Sequence, residues 1–157
     1  MKGTFYINSK SVELEFNPSE KLLDTLRNNG FTEVKAGCKT GSCGACVVLL
    51  DEKLVNSCQV YTASVVVRHI TTIKGLGSIH SPHPIQKAFV DTAAVQCGFC
   101  TPGMILSSYS LLSRNPSPDK EQIKEALDGN LCRCTGYVKI IEAVQLAAKR
   151  MGKNEKI

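Results

Sequence analysis

The sequence contains no tryptophan, and Phe and Tyr bring its aromatic share to only 6%. Aromatic residues interleaved with basic ones, the stacking platform of a nucleic-acid binder, are therefore missing. A block of one charge is missing too. Net charge is +5, with nine Lys/Arg against seven Asp/Glu through residue 75 and ten against seven beyond it. A surplus so evenly spread makes no basic stripe and reads as solubility or partner-facing charge. Long apolar runs are also lacking: the longest uncharged one, Ala45 to Leu50, is far too short to cross a bilayer. The opening "MKGTFYINSK" holds no apolar stretch of leader length and no Ala-x-Ala site, and the first arginine is Arg27. Neither a cleaved leader nor a twin-arginine signal is expected, and the expected location is the cytoplasm.

What the sequence has in excess is cysteine. Eight occur in 157 residues of otherwise ordinary globular composition, 43% hydrophobic and 21% charged. A reducing compartment disfavours disulfides, so metal binding is the leading use for them. Cys38, Cys43, Cys46 and Cys58 are spaced C-x4-C-x2-C with a distant fourth, the plant-type 2Fe-2S pattern. Such a site carries net negative charge and needs backbone N–H groups aimed at sulfur. Gly37, Gly41 and Gly44 let the chain fold that closely, and Ala36, Ser42 and Ala45 keep the wall thin. Cys97 and Cys100, then Cys132 and Cys134, form a second set near predicted helix starts, where free N–H groups favour thiolates. Four plus four leaves no cysteine over. Structural zinc in four-cysteine sites is the alternative, in a colourless interaction module with no redox role. His69, His80 and His83 lie in no Cys-x-His context, which disfavours Rieske-type ligation; His80 and His83 read as solvated. Arg133, between two of the thiols, reads equally as charge compensation or as an ordinary surface arginine.

The pattern predicts an α+β chain in two domains. "GTFYIN" and "SVELEF" alternate as a hairpin, with Phe5, Ile7, Val12, Leu14 and Phe16 on one face. A helix follows, with Asn17 as cap, Pro18 at its first position, Glu20 completing a capping box and Leu22, Leu23 and Leu26 as buried stripe. "VVLLD" and "KLVNSC" make two strands about a turn at Asp51 to Lys53, and "SVVVRHITTI" a longer one. The mixed sheet grips one helix. Lys74 to Pro84, with two glycines and two prolines, reads as a linker. Beyond it four helices are expected. The first buries Ile85, Ala88, Phe89 and Ala93; the next two start at Thr101 and at Ser117-Pro118. The last runs over about Tyr137 to Lys149, before a disordered tail.

"GCKTGSCGAC", Cys58, "AVQCGFCTPGMI" and "GNLCRCTGY" together resemble, in order and spacing, the iron–sulfur small subunit of the molybdenum hydroxylases. That family includes xanthine dehydrogenases, aldehyde oxidoreductases, nicotinate dehydrogenases and carbon monoxide dehydrogenases. The resemblance implies a β-grasp ferredoxin domain over 1–76, a linker over 77–84 and a four-helix bundle over 85–150, with 151–157 as tail. It implies two 2Fe-2S clusters on this chain, ligated by the two cysteine sets. Molybdopterin would be held by a large partner subunit, FAD by a medium one. Gln96 and Cys134 match positions that contact the partner's pyranopterin. The chain is expected to relay electrons within a dimer of heterotrimers, with no catalytic acid, base or nucleophile of its own. No membrane or nucleic acid is expected as a partner. A purine or related N-heterocycle leads as the substrate of the whole enzyme; aldehydes, nicotinate and carbon monoxide are alternatives.

Overall fold

The computed structural model describes residues 1–154, as a mixed α+β chain. β1 (Lys2–Ile7) and β2 (Lys10–Glu15) form the expected hairpin. Asn8 and Ser9 turn it with φ of 51° and 65°, the mirror-image geometry that matches strand twist. Phe5, Ile7, Leu14 and Phe16 are buried, and Val12 packs at their margin. β3 (Val47–Leu50) and β4 (Lys53–Asn56) form a second hairpin about Asp51 and Glu52. With β5 (His69–Thr71) they complete one sheet, in the order β2-β1-β5-β3-β4; β1 and β5 run parallel and all other neighbours antiparallel.

Two local expectations are corrected here. The first helix, α1 (Leu22–Asn28), starts after Lys21, not after Asn17. Asn17 and Glu20 do exchange bonds, but they close a turn of their own ahead of the helix. Leu22 N–H then donates to Val60 O at 2.8 Å, and Thr62 N–H to Glu20 O at 3.0 Å. That tether holds Lys21 extended and delays the helix, whose Leu22, Leu23 and Leu26 are nonetheless fully buried. The β-branched run from Ser64 is a strand only over His69–Thr71. Thr62–Val65 make a 3-10 turn, and Val67 is exposed with φ of 59°. The chain bends there because it must enter the sheet parallel to β1, where Val67 N–H meets Thr4 O.

The second half is helical. The linker opens with a short turn, α2 (Ile73–Leu76), whose apolar side chains pack on the helical core. α3 (Pro84–Asp91) is capped by His83, whose Nδ1 accepts from Ile85 N–H while its own N–H donates to Gln86 Oε1. His83 is therefore a structural cap, not a solvated linker residue; burial pushes its pKa down, and its ring meets Tyr109 edge-on. Ala94, not Ala93, reaches the core, because Ala93 takes φ of 54° just past the helix. α4 (Thr101–Arg114) has Cys100 at its cap position, so Thr101 lies already inside it. α5 (Lys120–Leu127) is capped by Asp119 with Gln122, a capping box that displaces the expected Ser117. α6 (Val138–Asn154) carries on through 151–154, where a disordered tail was expected; 155–157 lie outside the described residues.

Each half has its own core, and a third small cluster of Val47, Leu49 and Leu106 joins them. Beside it the two backbones interlock. Leu131 N–H donates to Cys43 O at 2.9 Å, and Gly44 (φ 68°) presses against Gly103 of α4 and the Gly129–Asn130 turn. A Cβ on Gly103 would stand 2.4 Å from Gly44 O. Gly103→Ala should therefore destabilise the chain by about 1–3 kcal/mol, as overpacked cores do. Thermal unfolding checks this, and an unchanged midpoint would show that the halves do not depend on that approach.

Candidate metal centres

The first cysteine set sits where the sheet meets a tight loop. β3 and the 3-10 turn Ser57–Gln59 deliver Cys46 and Cys58, both buried in the sheet-side core. The glycine-rich loop presents Cys38, which is exposed, and Cys43, which is partly so. The sulfurs meet in pairs, Cys38 with Cys43 and Cys46 with Cys58. Gly37 makes room for the outer pair, since a Cβ there would stand 2.7 Å from Cys43 Sγ. Backbone amides point at sulfur as the loop requires: Cys38 N–H donates to Cys43 Sγ at 3.4 Å and Thr40 N–H to Cys38 Sγ at 3.3 Å. Those bonds from Thr40, hydroxyl first and amide second, lower the Cys38 pKa to about 6. Burial instead pushes Cys46 up to about 11.

The second set repeats the plan at the ends of helices. Cys100 caps α4 and Cys132 lies midway along the α5–α6 connection; both pack against the helical core. Cys97 and Cys134 face outward, with sulfurs 3.6 Å apart. Cys100 and Cys132 form the inner pair. Burial, followed by the neighbouring Cys132 and Cys97 thiols, pushes Cys100 up to about 12. Burial also works to raise Cys132, but bonds from the Thr135 hydroxyl and amide outweigh it and leave that thiol at about 7. Cys134 is raised by the Cys97 sulfur beside it.

This arrangement tests which metal group the residues suit. Two thiolates on one tetrahedral ion, with bonds of about 2.3 Å, stand about 3.8 Å apart. The outer pair of the second set has that spacing. A single-ion site with four cysteines would gather all four sulfurs about one point, yet among the described residues no three His, Cys, Asp or Glu side chains converge so. Two pairs per set, one facing the core and one facing out, suit a two-metal group instead. Gln96, exposed, precedes Cys97, whose sulfur is the one that meets Cys134. Partly exposed Phe99, Val95, Leu131 and Val138 are the large apolar side chains exposed in the segments around these thiols.

Several contributors carry no spacing signature in the sequence. Gln59 donates to Cys58 Sγ, the Thr135 hydroxyl donates to Cys132 Sγ, and the Tyr137 hydroxyl accepts from Cys132 N–H at 2.9 Å. Asn130, buried between the halves, donates to Ser107 Oγ at 2.7 Å. Each of the first three lies within five residues of a ligand cysteine, and that adjacency was the only available clue.

Comparison with known proteins follows the same division. Residues 5–66 match the model for a 2Fe-2S iron-sulfur cluster binding domain, and residues 72–145 that for a 2Fe-2S binding domain. The nicotinate dehydrogenase small FeS subunit of Eubacterium barkeri is 43% identical over 92% of this chain and 92% of its own. The nicotine 6-hydroxylase small subunit of Paenarthrobacter nicotinovorans is 45% identical over 93% of this chain and 88% of its own. A solved chain of quinoline 2-oxidoreductase from Pseudomonas putida 86 superposes with a TM-score of 0.93 at 36% identity, covering 99% of this chain and 98% of that one.

Tyr137→Phe leaves the Cys132 amide, half-buried, without its acceptor. Stability should fall by about 1–3 kcal/mol, the usual penalty for orphaning a buried donor. Denaturant unfolding measures it, and wild-type stability in the variant would mean that water takes over the phenol's place.

Proposed function

The chain belongs to the iron–sulfur small subunits of the molybdenum hydroxylase family, and on that footing we propose a residue-level account of its electron relay. It is the electron-transfer subunit of a multi-subunit molybdenum oxidoreductase and carries two 2Fe-2S clusters, with molybdopterin and FAD on its large and medium partners. Each cluster, when bound, takes up and releases one electron. The chain's own part is to hold ligands at set distances and to tune them by hydrogen bonds, burial and charge.

Cys38, Cys43, Cys46 and Cys58 hold one cluster, and Cys97, Cys100, Cys132 and Cys134 the other. The observation that carries this assignment is the pairing of thiols, one core-facing and one outward pair in each set, with no cysteine left over. The five-stranded sheet packed on α1 supports a β-grasp ferredoxin domain over 1–76, and α3 to α6 support a four-helix bundle over 85–150. Gln96 and Cys134, on the outward face of the second set, contact the pyranopterin of the large subunit. The apolar side chains of Phe99, Val95, Leu131 and Val138 supply that face with surface to bury. Electrons enter there and leave by the exposed Cys38 side towards FAD.

The relatives named above act on nicotinate, nicotine and quinoline, each of which contains an aromatic nitrogen heterocycle, and this supports a substrate of that class for the whole enzyme. A dimer of heterotrimers in the cytoplasm is the assembly that goes with this reading. No helix among the described residues is long and apolar enough to cross a membrane.

Iron and sulfide analysis with EPR before and after dithionite tests the assignment. The purified protein should be red-brown, with about four irons and as many labile sulfides per chain and two distinguishable signals. Cys58→Ser should remove or alter one signal and leave the other. A colourless zinc protein without labile sulfide would reverse the conclusion.

A further inference from the structure

We propose that Thr135 and Gln59 are tuning residues, each raising the reduction potential of one cluster by a side-chain hydrogen bond to one ligand sulfur. This rests on the assignment of the two cysteine sets to two 2Fe-2S clusters. Thr135 is the more constrained of the two. Its Oγ1 accepts from Tyr137 N–H at 3.3 Å, so its single hydrogen is free to point at Cys132 Sγ, 3.1 Å away. Tyr137 can aim its amide there because it adopts φ of 66°, unusual for a side chain of its size. The phenol holds it in that conformation, accepting from Cys132 N–H and donating to Asn130 O at 3.4 Å. Sulfur and amide of the same ligand residue are thus gripped by one short loop, and Thr135 cannot turn its hydroxyl away without losing the Tyr137 bond.

Gln59 stands in the equivalent place on the first set. Its Nε2 lies 3.2 Å from each of Cys58 Sγ, Cys58 O and Lys39 O. Three acceptors around one nitrogen fix which way the carboxamide faces. Its Cγ also lies against Gly41, 3.1 Å from where a Cβ would be, so the side chain lies across the ligand loop.

Reduction adds one electron to a centre and therefore one negative charge shared among its sulfurs. A donor aimed at sulfur stabilises the more negative state more, so it raises the midpoint potential. Thr135 is half-buried and Gln59 exposed, so solvent screens the Gln59 bond more and its effect is the smaller.

The test uses the holoenzyme with its partner subunits, titrated with dithionite and followed by the EPR signal of each centre. Thr135→Val should lower one midpoint by about a tenfold change in its reduction equilibrium, about 59 mV for a one-electron couple, and leave the other in place. Thr135→Ser, which keeps the hydroxyl, should restore it. Gln59→Leu should lower the other midpoint, by less, and serves as the second probe should the valine variant load poorly. Unmoved midpoints in both variants would overturn the proposal, as would a serine variant that shifts as far as the valine or variants that shift both centres alike. Wild-type protein showing no cluster signal would instead overturn the cluster assignment beneath it.

Discussion

Cys43 O and Leu131 N–H meet across the boundary between the sheet and the helices, and much of the molecule is arranged so that they can. The bond joins Cys43 of one cysteine set to the residue before Cys132 of the other. It brings backbone to backbone, a distance that side chains at Gly44 or Gly103 would forbid. Asn130 lies in the same seam, its amide given to Ser107 and its oxygen between the two glycines. A side-chain contact at this place could flex through rotamers. A main-chain hydrogen bond flanked by glycines has no such freedom, so the spacing of the two cysteine sets is held by the least adjustable atoms available. For a chain whose work is to pass electrons between fixed points, that rigidity is the first requirement.

The thiols state the second requirement. Cys46 and Cys100 stand in cores that resist their ionisation, at about 11 and about 12. Cys38, near 6, stands in solvent among donors. Metal binding must remove the proton from each thiol that ligates, against burial at Cys46 and Cys100 and with local help from hydrogen-bond donors at Cys38 and Cys132. Cys46 and Cys100 are therefore the positions at which metal and fold are most strongly linked: without a cation, they remain neutral thiols packed against apolar side chains. With it, the same burial keeps water from the sulfurs.

Much of this was legible in the sequence where a signal was local. The β1–β2 alternation, the Leu22, Leu23 and Leu26 stripe and the helical character of the second half follow from periodicity alone. The cysteine spacing pointed at the chemistry. Failures came where a tertiary bond overruled a local preference. Asn17 and Glu20 have the residues of a capping box, and Asn17 N–H does donate to Glu20 Oε2, yet Asn17 Oδ1 accepts from Ser19 N–H and the Val60 carbonyl claims Leu22 N–H and moves the helix start. The β-branched run before His69 has strand propensity, yet a parallel entry beside β1 leaves only three residues to pair. His83 looked like a solvated linker residue because its role depends on Gln86 and Tyr109, which composition does not connect to it. Gln59 and Thr135 are invisible for a related reason. Spacing reports which residues ligate and is silent on which neighbours donate to them.

The two sets differ in how they meet solvent, and that difference bears on the direction proposed for the relay. The first set offers one exposed thiol, Cys38, beside Lys39, which is paired with Asp24 at 2.7 Å. The second offers two, Cys97 and Cys134, in segments that also expose Phe99, Leu131 and Val138. Apolar side chains gathered at a surface gain from being covered, whereas a paired charge tolerates solvent and exchange. The second set therefore has apolar surface suited to a joint with the proposed large subunit. On the proposed relay, an electron entering there reaches the first set across the main-chain seam, with Cys46 and Cys58 buried on one side of it and Cys100 and Cys132 partly buried on the other. The interlock of Gly44 with Gly103 holds the two sets in fixed relation along that route.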